Sequence, residues 1–384
     1  MKKTFVFLSF FLIIGIIINA CTSPKKLLEK GNYYDAVLLS VEKLQNNSNN
    51  KNARETLAQA YVLAVDDLLN KIEKNKIIQP DFFNSFAAYT YEDLNRMYEK
   101  ILKSPAARQI IKNPKDFYKQ LSIAKPLAAE EQYAAGMKQL NIGSRENAKQ
   151  AYYYFQDADA FVKDYKDVGN RLDQSYKMAL LHVIADFKSI HSQIYKLSSN
   201  SFYNELRKTL QKIEKSQFVR FYSPMDAKKF SLENPDQILE VNFEDFIVGE
   251  THTQERIEKM VRDSVIVGSV NLANGRKKNV FGTVEAKVYL YKMQVISKGI
   301  VGLTILENNF NKTTLYNKLI PGEYVWFNEW GNYNGDIRAL NKKQKEICKR
   351  KNILPPPAQQ MFIEFTKPIH EQLRVELLNF YQDY

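Results

Sequence analysis

The densest gathering of chemically capable side chains lies between Gly322 and Leu340. It holds both tryptophans of the chain, Trp326 and Trp330, together with Tyr333, Glu329, Asp336 and Arg338. Aromatic faces beside Asn, Asp and Arg suit a sugar, which needs ring stacking plus a few oriented polar contacts. Trp326, Glu329, Trp330, Tyr333, Asp336 and Arg338 are therefore the candidate ligand or glycan surface. Glu329 and Asp336 could also act as a carboxylate pair on a glycosidic bond, where their separation sets the stereochemistry. The plainer expectation is a structured loop capping a sheet, with the tryptophans packed inward and Asp336 paired to Arg338.

Elsewhere the chemistry is sparse. The histidines His182, His191, His252 and His370 are scattered, and none has a His or Cys neighbour at metal-ligand spacing. There is no Gly-rich loop ending in Lys-Ser/Thr and no Gly-x-Ser-x-Gly elbow. The expectation is a non-enzymatic protein without a metal or cofactor. His182 sits in a short apolar run and reads as a core histidine.

The N-terminus carries a different signal. Lys2 and Lys3 precede an apolar run from Phe5 to Ile18, then Asn19-Ala20-Cys21. That run is shorter than the roughly 20 residues a bilayer span needs, and fits the apolar region of an export signal. Ile18-Asn19-Ala20-Cys21 resembles a bacterial lipobox. The resemblance implies cleavage before Cys21 and acylation of Cys21, which ties the chain to a membrane. Thr22 and Ser23 follow, rather than an Asp that would signal inner-membrane retention, so the expected location is the outer membrane, facing the periplasm.

Beyond residue 20 the chain carries +10 of its formal +12, a basic balance suited to an anionic envelope. Export removes nucleic acid from the expected partners. The one other cysteine is Cys348, so with Cys21 acylated no internal disulfide forms and Cys348 is expected to be partly buried and inert.

From about residue 25 to 176 the apolar spacing is helical. Gly31, Tyr33 and Ala36, the turn Asn46–Asn50, and Ala53–Tyr61 resemble parts of two tetratricopeptide repeats. So do Glu131–Met137 and the series Ala148, Ala151, Tyr152, Phe155, Ala158, with a restart at Tyr165. In that pattern small residues let helices approach, so Tyr33, Tyr61, Tyr152 and Phe155 are expected as packing. Pro80, Pro105, Pro114 and Pro126 are expected to punctuate the helices between the two matches.

The pattern then changes. Ala179–Ala185, Phe218–Tyr222 and Ile238–Val248 read as strands, and Phe202–Ile213 as an amphipathic helix. Thr253–Arg262 reads as a charged helix. Thr283–Val295 and Ile300–Leu306 read as a strand pair turned at Ser297-Lys298-Gly299, with a further strand at Thr314–Leu319. Met361–Tyr381 closes as a helix, with Phe362, Phe365, Ile369, Leu373 and Leu377 on one face. Pro355–Pro357 reads as a stiff spacer before it. This order resembles the α/β domain shared by the curli-secretion channel lipoproteins, the penicillin-binding-protein activator lipoproteins and the N-terminal domain of the translocation protein TolB. Glu285 and Lys287 on one face of the hairpin and Lys292 on the other argue against a lipid-facing barrel, since such charges cost about 2–4 kcal/mol near the midplane.

The expected fold is an α+β multidomain chain: a tetratricopeptide-like helical-hairpin array followed by a mixed α/β sandwich-type domain with a long antiparallel hairpin. Residues 1–20 are the export signal, 21–24 a lipidated tether, 25–176 the helical domain and 177–384 the α/β domain with its terminal helix. The expected function is an envelope-anchored adaptor between proteins of cell-envelope assembly or secretion. The alternative is a lipoprotein that binds peptidoglycan, or regulates its synthesis, through Trp326–Asp336.

Overall fold

The computed structural model describes residues 23–188, 196–273 and 275–384. Cys21 and residues 1–20, expected to be an export signal, lie outside the described residues, as does His191. Two compact units divide between Ala179 and Leu180. Among the described residues no helix is long and apolar enough to cross a membrane.

The first unit is all helical: α1 (Pro24–Glu29), α2 (Tyr33–Asn46), α3 (Lys51–Ile78), α4 (Phe83–Leu102), α5 (Pro105–Ile110), α6 (Tyr118–Ile142), α7 (Arg145–Phe161) and α8 (Val168–Ala179). Side-chain caps set its boundaries. Asn50 accepts from the Ala53 amide at the start of α3, Ser104 from Ala107 before α5, and Ser144 from Asn147 before α7. Gly143, at φ +80°, ends α6 as only a residue tolerant of the left-handed region can. Small residues let the helices close up. The Phe155 ring of α7 lies where a side chain at Gly136 of α6 would stand, and Ala53, Ala60 and Ala64 are fully buried along α3. Tyr61 and Phe155 are buried, and Tyr33 packs against the cluster that holds Tyr61. Pro126 does not break its helix: α6 runs through it, at the loss of one main-chain bond. Glu131 of α6 accepts from the Asn84 and Ser85 amides and from both of their side chains at 2.6–3.0 Å. It caps the α4 N-terminus from a different helix.

The second unit is built on a five-stranded sheet ordered β2-β1-β3-β4-β5. Its elements are β1 (Leu181–Phe187), α9 (Lys196–Ser216), β2 (Val219–Tyr222), α10 (Pro224–Lys229), β3 (Gln237–Asn271), β4 (Lys277–Glu307), β5 (Thr314–Gly335), α11 (Lys342–Ile347) and α12 (Ala358–Tyr381). β1 runs parallel to β2 and to the start of β3; β4 runs antiparallel to both of its neighbours, β3 and β5. At the base, Phe202, Leu206, Leu210 and Ile213 of α9 and Phe362, Phe365, Ile369, Leu373 and Leu377 of α12 pack on Leu239, Val241, Val301, Leu303, Ile305 and Ile320 of the strands.

Three expectations about this sheet are overturned. Thr253–Arg262 is not helical but part of β3, paired residue for residue with Val284–Met293. Its Glu, Arg and Lys favour helix, yet Arg256 and Glu258 form an ion pair at 2.6 Å across i, i+2, neighbours on a strand face but not on a helix. Ser297-Lys298-Gly299 is not a turn, since β4 passes straight through it. Gly299 and its cross-strand partner Gly322 are glycines because α12 lies directly on them: a Cβ at Gly299 would meet the Phe365 ring at 2.9 Å, and one at Gly322 would strike the Phe365 carbonyl and Ile369. Finally, Gly322–Gly335 is not a loop but the distal part of β5, which continues past Pro321. Proline is tolerated there because β5 is an edge strand.

β3 and β4 therefore form a hairpin whose longer strand spans roughly 115 Å at about 3.3 Å per residue. β1 covers the outer edge of β3 only from Gln237 to Val241. β5 reaches only to Ala286 of β4, so the hairpin tip stands beyond it.

Candidate functional site

The strand register sorts the candidate residues. β5 pairs with β4 without a break from Tyr316 to Gly335, so alternate residues take opposite faces. Trp326, Asn328 and Trp330 share the face on which α12 packs at the base. Glu329 and Tyr333 lie on the other. The structure does not gather the six residues into one surface.

On the α12 face, Trp330 stacks on its cross-strand partner Tyr291, with centroids 5.4 Å apart and planes at 15°. Both rings are half-buried. Burial, followed by the nearby Glu255 carboxylate, raises the Tyr291 hydroxyl above its ordinary pKa. Trp326 is half-buried opposite Val295, and Asn328, only 9% exposed, donates to the Lys351 carbonyl at 3.2 Å.

On the opposite face a second small core forms from Val284, Ala286 and Val288 of β4 under Ala339 and Leu340, with Met260, Leu290 and Cys348 at its margin. α11 adjoins it, opened by a reciprocal capping box between Asn341 and Gln344. Beside it lies a cleft of about 300 Å³ lined by Arg256, Glu258, Lys292, Glu329, Lys343 and Gln344, among others. Its acids have partners: Glu258 binds Arg256 and Gln344, and Glu329 faces Arg350 at 3.4 Å. Tyr333 is 38% exposed on this face.

Cys348 lies beside Gly331 on the α11 face, whereas Lys351 meets Asn328 on the α12 face. With β4 on its other side, the chain can pass between these points only around the free edge of β5. Residues 348–357 are thus a strap over that edge, fastened by Arg350 to Glu329 and by Lys351 to Asn328. The strap includes Pro355–Pro357 and leads into α12.

Asp336 and Arg338 are committed to the fold. The Asp336 carboxylate accepts from the Arg338 amide and takes its guanidinium bidentately. Arg338 also donates to the Ile266 carbonyl, and Arg262 donates to the Arg338 carbonyl at 3.1 Å. This clasp ties the end of β5 to distal β3. The guanidinium and the capped amide hold the Asp336 carboxyl down to about 2. Glu329 and Asp336 stand seven residues apart on extended chain, about 20 Å or more. A glycosidase pair stands about 5–9.5 Å apart, so these two carboxylates cannot work on one bond.

The histidines stay apart. His182 is half-buried, not fully buried, and its Nδ1 lies 3.0 Å from the Tyr222 hydroxyl. His252 pairs with Glu250, and His370 lines a groove between α9 and α12. Cys348 is half-buried, and burial pushes its thiol up. Among the described residues no three His, Cys, Asp or Glu are placed to hold a metal ion. Sequence reasoning missed Tyr291, Asn328 and Arg350, whose roles depend on strand register. Comparison with protein-family models, with curated proteins and with solved structures gives no match for this chain.

Proposed function

We propose that the chain is a non-enzymatic lipoprotein, anchored through Cys21 to the outer membrane and facing the periplasm, that serves as an adaptor between envelope proteins. The observation that carries this reading is the outer edge of β3. From Asn242 to Asn271, roughly 100 Å, no strand among the described residues lies along it. Such an edge offers a row of main-chain donors and acceptors to an extended segment of a partner. The helical unit, with its tetratricopeptide-like small-residue hairpins, supplies a second surface of the kind that docks protein.

A photo-crosslinking side chain at Gln254, on the exposed β3 segment, should trap a discrete envelope protein in intact cells. The same probe at exposed Leu319 on β5 serves as the comparison. If Gln254 traps nothing, or traps the same set as Leu319, the edge is not a docking strand.

One observation favours a second reading, binding of peptidoglycan. The half-buried Tyr291–Trp330 stack and Trp326 share a face, which leaves Tyr333 outside any such surface. Sedimentation with isolated peptidoglycan, lost in Trp330→Ala and kept in Tyr333→Ala, is the pattern this reading requires.

A further inference from the structure

The hairpin tip has a composition unlike the rest of the sheet. Between Asp263 and Glu285 there is no acidic residue, and the turn is followed by Arg276-Lys277-Lys278. Ile266, Val267, Val270, Leu272, Val280 and Phe281 are all exposed, Val270 by 52% and Phe281 by 61%. They do not share a face. Phe281 is paired with Ile266 on one side of the hairpin, and Val267 leans over Gly282 on the other. Register shifts at Arg262/Val265 and Ile266/Gly268, with Ser264 at φ +60°, produce this by breaking the alternation.

We infer that this tip docks in the headgroup layer of an anionic lipid membrane. A protein partner with a flat surface would cover one face of a two-stranded ribbon, whereas a lipid interface surrounds both. The lack of acids and the three bases supply the charge complement to anionic phosphates. The same features limit the depth. Among the described residues, both outer edges of the ribbon lack strand partners at the tip, which excludes the hydrocarbon core, where an unpaired backbone has no water. The bases at the turn bar tip-first crossing. The ribbon instead lies obliquely, about 5–10 Å deep, with the stems of Lys277 and Lys278 along apolar surface and their ammonium groups at the phosphates. This inference is independent of the adaptor reading and of the anchor at Cys21.

The test uses the full chain with Phe281→Trp, its emission taken against the parent protein to remove Trp326 and Trp330. Vesicles of phosphatidylcholine, with or without phosphatidylglycerol, carry brominated acyl chains. The expected result is a blue shift and shallow quenching that require phosphatidylglycerol, a signal that attachment of the N-terminus cannot produce. Adding Lys277→Gln and Lys278→Gln should lower the partition constant of the tip, read from a lipid titration of the quenching, about fivefold per lysine. Val270→Asp should abolish the quenching while leaving the circular dichroism unchanged. Quenching that is absent, or indifferent to phosphatidylglycerol and to the lysines, would overturn the inference. So would displacement of the tip by a soluble polyanion with no quenching by the bromines at any stage.

Discussion

The base of the sheet and its distal hairpin share strands β3 and β4 but treat apolar side chains in opposite ways. At the base, Phe362, Phe365 and Ile369 are fully buried over Val301, Leu303 and Ile320. At the tip, Phe281, Val270 and Val267 stand in the open. Strand propensity is similar in both places. What differs is whether a helix lies on the face, so folding free energy is concentrated at one end and the other end is free to meet something else.

The sharpest way to break that contrast is to truncate one aromatic at each end. Phe365→Ala should cost about 3–5 kcal/mol in denaturant unfolding, the usual figure for emptying a packed core. Phe281→Ala should stay within about 0.5 kcal/mol. Similar losses at both positions would mean that the tip is packed after all. Next in size is a control from the helical unit: Glu131→Ala strips the α4 N-terminus of its cap and should cost about 2 kcal/mol. The smallest effect concerns the clasp between the ends of β5 and β3. Asp336 is held at about 2, below its ordinary 3.8, so its contribution is complete above about pH 4 and is lost as the pH falls through about 2. Tryptophan emission from β5 should report that acid step in the parent and not in Asp336→Asn. Superimposed profiles between pH 4 and 2 would remove the clasp from the account.

Much of the base was legible in the sequence because periodicity reports burial. Phe362, Phe365, Ile369, Leu373 and Leu377 mark α12, and Phe202, Leu206, Leu210 and Ile213 mark α9. The distal sheet was far less legible. Thr253–Arg262 has no buried side to impose alternation, so its charged residues suggest a helix until β4 is placed beside them. Gly299 and the pair Pro321-Gly322 resemble breaks, yet the glycines make room for a helix that comes later in the chain and the proline marks an edge strand. For the candidate site, the local pairing of Asp336 with Arg338 was readable at a distance of two residues. That Trp326 and Trp330 face away from Tyr333 follows only once the loop is replaced by an unbroken strand.

The strap around β5 has one further consequence, for which strand alignments the chain can survive. A shift of β5 by one residue would exchange the faces of Asn328 and Glu329, release both fastenings and turn Ile320 out of the core. A shift by two would restore the faces but bring Ile320 or Tyr324 to the place of Gly322, against the Phe365 carbonyl. Odd slips are thus rejected by the strap and the smallest even slips by the helix, so two distant and unrelated contacts together leave the native alignment as the one that satisfies both.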